Sequence, residues 1–136
     1  MISHHATLIY VMVMVSAADR NMTDAELRMI GEIVNFLPVF RDYDPAMLPH
    51  TTAACAELLD SDDGLDRAFD VIKHSLPPRL RETAYALACD VAAADGEPHQ
   101  EVIRMLELIR YRLDIDRLTA AAIERGARAR FTLDHG

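Results

Sequence analysis

Residues 6–15, ATLIYVMVMV, constrain this chain more than any other stretch, because nine of the ten side chains are apolar and no polar face is left. A helix that is hydrophobic all round must be covered all round. Continued outward, the helical segment runs from about His4 to Asp19 and belongs at the centre of a bundle. Two other readings of an apolar run fit less well. A membrane span needs roughly 20 such residues. A secretory signal needs a basic region in front, whereas the preceding residues are Met1-Ile2-Ser3-His4-His5.

If one helix must be wrapped, the rest of the chain should supply amphipathic covers. It does. Leu27, Ile30, Val34 and Leu37 fall on one stripe of a 3.6-residue period, closed by Pro38. Asp44-Pro45 resembles a helix start, Pro49 an interruption, and a short helix is expected from about His50 to Leu59. Asp62 or Asp63 should cap a helix carrying Leu65, Phe69, Ile72 and Leu76. Pro77-Pro78 opens an alanine-rich helix to about Ala94, with Leu80, Ala84, Leu87 and Val91 inward. Pro98 opens another, with Val102, Leu106, Ile109 and Leu113 inward, and Asp116 begins a last one that fades near Gly126. No alternating pattern of useful length suggests a strand. The expectation is an all-α protein, residues 1–136 forming a single bundle of six or seven helices, with helix content above roughly 60%.

With 136 residues the chain can bury a real core. The formal charge of −8 argues against a nucleic-acid surface, which is usually basic. Residues 1–64 carry 10 acids and 3 bases, whereas the second half is nearly balanced by a run of arginines. Such a dipolar molecule can attract cations or a basic partner at its acidic side. Cys55 and Cys89 are too few and too isolated for a disulfide framework or a zinc site, and a reducing compartment fits them.

Two passages repeat a pattern. SAADRNMTDAEL and AAADGEPHQEV each end an apolar helix in Ala-Asp, break, and restart near a glutamate. Asp95 follows Asp19 by 76 residues, and apolar residues precede both at matching steps, which suggests two pseudo-repeated helical hairpins. Asp19-x-Asn21-x-Thr23 is not the start of an EF-hand, because positions 6 and 12 of that loop would be Asp24 and Ile30 instead of glycine and glutamate. Thr23-x-x-Glu26 is a capping box, and Glu101 lies in a first helical turn, where the helix dipole favours a carboxylate. Asp19 and Asp95 sit instead at helix C-termini, where the dipole opposes them by roughly 0.3–1 kcal/mol. N–H groups of the next helix, or a bound cation, should offset that cost.

A helix ending in Ala-Asp-Gly, a short turn, a glutamate about seven residues on and an apolar stripe after it resembles the TerB-like family of tellurite-resistance proteins. The N-terminal domains of DjlA-type membrane co-chaperones show a similar pattern. The resemblance covers most of the chain, through Asp19/Glu26 and Asp95/Gly96/Glu101, although Arg20 stands where the family has glycine and Glu101 comes one residue early. It implies a compact all-helical domain with a cytoplasmic role in tellurite or stress resistance. It also implies a divalent cation (Ca²⁺, Mg²⁺ or Mn²⁺), weakly held, on the junction residues Asp19, Glu26, Asp95 and Glu101. Glu97 and His99 lie in the second acidic turn as secondary candidates, with a plain exposed histidine as the other reading of His99.

Other residues attract blander readings. Adjacent His4 and His5 diverge by about 100° on a helix and cannot share a metal, so they read as a mobile N-terminus. The scattered methionines are core filler. No phosphate loop, nucleophile elbow or catalytic thiol pairing is present, so enzymatic activity is not indicated. The leading expectation is an adaptor or cation-responsive binding module with a protein partner or a second copy of itself, and without nucleic acid or membrane insertion. The alternative is a metal-dependent hydrolase built on the acidic junctions.

Overall fold

Ser3 starts the first helix, its Oγ accepting the Ala6 N–H at 3.1 Å. In the computed structural model, which describes residues 2–20, 22–96 and 98–135, that helix (α1, His4–Ala17) is buried without interruption from Thr7 to Ser16. It packs against α2 (Asp24–Phe36), α3 (Leu48–Leu59), α4 (Gly64–Ser75), α5 (Arg81–Ala93) and α6 (Gln100–Arg112). The all-round apolar sequence is thus matched by all-round cover. α5 is the second central helix; it packs on α1, α2, α6 and the last helix, α7 (Arg117–Phe131). Helix, 3-10 turns included, makes up 76% of the described residues, and no strand occurs among them. None of the described helices is long and apolar enough to cross a membrane.

Details differ from the sequence expectation, each for a physical reason. The inward stripe of α2 is Glu26, Ile30, Ile33 and Val34, and Leu27 is 45% exposed. Glu26 turns inward because its carboxylate reaches back to the Thr23 N–H at 3.0 Å while Thr23 Oγ1 accepts the Glu26 N–H at 3.1 Å. The capping box therefore puts Glu26 in the place expected for Leu27, while Ile30 and Val34 stay inward as expected. Pro49 does not interrupt α3; it lies in the first turn, where its missing N–H has no helical partner to lose. Asp44 and Pro45 start a short 3-10 turn, Pro45–Met47, with Asp44 Oδ1 accepting the Ala46 N–H at 3.0 Å. Asp63 stands at the start of α4 without a capping bond from its side chain, and its role is conformational, at φ 54°. Leu65 is 37% exposed and Ala68 takes its inward place. α7 runs through Gly126 to Phe131, since a lone glycine lowers helix stability without ending a helix.

His4 and His5 are not a loose terminus. They form the first turn of α1, and the His5 ring lies 5.8 Å from Phe40 and 5.4 Å from Tyr43, centroid to centroid. Tyr43 in turn shares a 2.8 Å hydrogen bond with Thr51 of α3, so this aromatic group ties α1 to α3 through the 37–47 connection.

Candidate functional site

The two Ala-Asp junctions are geometric copies. α1 ends at Ala17 and α5 at Ala93; α2 spans Asp24–Phe36 and α6 spans Gln100–Arg112, a constant shift of 76 residues. The turn bonds repeat as well. Arg20 N–H donates to Ala17 O at 3.0 Å, and Gly96 N–H to Ala93 O at 3.2 Å. Arg20 and Gly96 both adopt positive φ, 61° and 93°. The expected pseudo-repeat of hairpins is therefore present at the level of individual turns, with α2 packed on α5 and α6 packed on α1.

The same register corrects the pairing of the glutamates. A shift of 76 places Glu26 opposite Val102, which is buried at 2%, and places Glu101 opposite Ala25. It also sets Ser16 against Ala92. In the first hairpin, Ser16 Oγ donates to Glu26 Oε1 at 3.4 Å. In the second, the corresponding pair is apolar. One hairpin thus closes around a polar pair and its copy does not.

The junction carboxylates differ in setting. Glu26 is buried and hydrogen-bonded, Asp19 is half-buried, and Asp95, Glu101 and His99 are exposed. His99 occupies the N-cap position of α6 without a capping bond from its side chain. Glu97 lies outside the described residues. Among the described residues, no three His, Cys, Asp or Glu side chains come close enough together to hold a metal ion.

Arg20 tests the turn geometry directly. A side chain in the left-handed region costs roughly 1–2 kcal/mol, which glycine avoids at the expense of a more flexible unfolded chain. Arg20→Gly should stabilise by about 0.5–1 kcal/mol. Gly96→Ala should cost about 1–2 kcal/mol from strain alone, since an added Cβ there meets nothing within 4 Å. Thermal melts of the two variants moving in the same direction would contradict the equivalence of the turns.

A second feature was not legible in the sequence. α6 and α7 both pack on α5 but touch each other little, and a connection of only residues 113–116 joins them. Between them, over α5, lies a half-open cleft of about 750 Å³. Tyr85, Cys89 and Ala92 of α5 form its floor. Ile103, Leu106 and Arg110 line one wall, and Ala127, Arg128 and Phe131 the other. Beyond α7, Leu133 extends the second wall and is 79% exposed.

The floor is chemically quiet. Burial pushes the Cys89 thiol up to about 12, so it stays protonated near neutrality and is a poor nucleophile. Cys55, buried under Tyr10, is pushed up to about 12 for the same reason. The Tyr85 phenol is raised by burial and by its 2.6 Å hydrogen bond to Glu124 Oε2. That bond ties the α7 wall to the floor. Arg110 and Arg128, one on each wall, form no ion pair among the described residues. In the sequence they appear only as members of an arginine surplus; the available hints were Ile103 and Leu133, apolar residues lying off the inward stripes.

The chain matches no protein-family model, no curated protein and no solved structure.

Proposed function

We propose that this protein is a TerB-like helical adaptor, a binding module rather than an enzyme, and that it recognises its partner through the cleft between α6 and α7. The observation that carries this reading is the cleft itself: an apolar floor, two helical walls and a solvent-open mouth, within the size range of ligand sites. Its one sulfur and its phenol are held protonated, which suits binding better than covalent chemistry. The TerB-like part of the reading rests on the repeated Ala-Asp hairpins, and a cytoplasmic setting accords with two buried free thiols.

The test is occupancy. A naphthalene-sulfonate dye that fluoresces in apolar surroundings should bind one equivalent of the folded protein. Ile103→Arg places a charge at a position already 42% exposed, so stability should change by no more than about 0.5 kcal/mol. Dye affinity should nonetheless fall by at least about tenfold. Dye binding that is absent, or unchanged by Ile103→Arg, rules out the cleft as the recognition element.

A further inference from the structure

Resting on the reading of the cleft as the recognition element, we infer that its occupant is an acidic amphipathic helix of a partner protein. The shape argues for a helix. Both walls and the floor are helices whose backbone groups bond within themselves, so they offer no edge to an extended strand. An incoming peptide must satisfy its own backbone, which a helix does while laying one apolar face into a groove. The walls from Ile103 to Arg110 and from Glu124 to Phe131 each run about 10 Å, the length of two helical turns.

The charge argues for acidic flanks. The chain carries −8 overall, yet residues 100–131 hold seven arginines against five carboxylates, net +2, which leaves −10 for the remainder. The cleft therefore lies between the basic elements of an acidic molecule. Arg110 and Arg128 face it from opposite walls without ion-pair partners among the described residues. Of the two lining carboxylates, Glu124 already accepts the Tyr85 hydroxyl, and Glu107 is the one left to oppose an acidic guest. A helix with leucines on one face and glutamates flanking them meets two guanidiniums and one carboxylate.

The experiment uses labelled synthetic helices of about four turns, long enough to form on binding. One carries a leucine stripe flanked by glutamates, one has lysines in place of the glutamates, and one scrambles the acidic sequence. Anisotropy titrations with the 136-residue chain should show the acidic helix binding at least about tenfold tighter than the basic one, with affinity falling as salt rises. The double variant Arg110→Glu, Arg128→Glu should reverse the preference, and Ile103→Arg should abolish binding of either helix. A basic preference, or equal binding of the scrambled peptide, overturns the proposal. If the dye binds but no peptide does, the cleft serves a small amphiphile: the helix assignment falls and the cleft reading survives. If neither binds, both fall. Sedimentation of the protein alone gives the remaining outcome: a dimer dissociated by Ile103→Arg makes a second copy the occupant and also overturns the proposal.

Discussion

Val11→Asp should leave no folded protein. Val11 is 1% exposed in the middle of α1, where the neighbouring Tyr10 and Met12 are also buried and helices pack on every side. Val11 lies within the buried apolar core, where a new carboxylate would stand among hydrophobic side chains. An uncompensated buried charge costs several kcal/mol at least, even when the group takes up a proton. A domain of this kind has only about 5–15 kcal/mol in total. The expected result is an insoluble product, or a soluble chain without a cooperative melt, and Met12→Asp should behave the same way. Leu118→Asp is the control: it makes a comparable change at a residue 81% exposed and should shift stability by no more than about 0.5 kcal/mol. If Val11→Asp melts like the wild type, α1 is not the axis of the bundle.

What made α1 legible is that its sequence left only one kind of environment. Where a segment had a choice, the sequence was less decisive. Leu27 and Glu26 compete for the inward face of α2, and hydrophobicity favours Leu27. The reciprocal Thr23–Glu26 bonds and the Ser16 hydroxyl settle it for Glu26, and that hydroxyl arrives from another helix. The repeat of hairpins was visible because apolar periodicity survives in both copies. The pairing of Glu26 with Glu101 was misleading because one-residue errors in register are invisible until turn bonds fix the phase. His4 and His5 looked loose because Phe40 and Tyr43 lie more than thirty residues away in sequence. The cleft was hidden for a related reason. The apolar stripe of α6 is satisfied by α5 and α1, and that of α7 by α5, and no pattern within either helix encodes the gap between them.

Gly64→Ala should be the most damaging conservative substitution in the chain. Gly64 opens α4 directly after Asp63, whose φ of 54° turns the chain sharply out of α3. A Cβ at position 64 would stand 2.3 Å from the carbonyl oxygen of Leu59 and 2.6 Å from that of Leu58. Both are backbone atoms, so no rotamer change relieves the overlap; the corner between α3 and α4 must open. Ala68, Phe69 and Ile72 would then be displaced from the core they help to close. Overpacking of this kind costs about 3 kcal/mol or more, which for a domain of this size lowers the melting temperature by roughly 10 °C or more. Gly31→Ala, in the interior of α2, meets nothing within 4 Å. There the helix preference of alanine should act alone and stabilise by about 0.5–1 kcal/mol. The same chemical change is therefore expected to have opposite signs at two helical glycines. If Gly64→Ala melts within about 2 °C of the wild type, the α3–α4 corner is looser than its backbone distances state. The position of α4 must then be secured elsewhere, with the contacts from Arg112 of α6, its 2.7 Å ion pair to Asp66 and its guanidinium over Phe69, as the ones to test next.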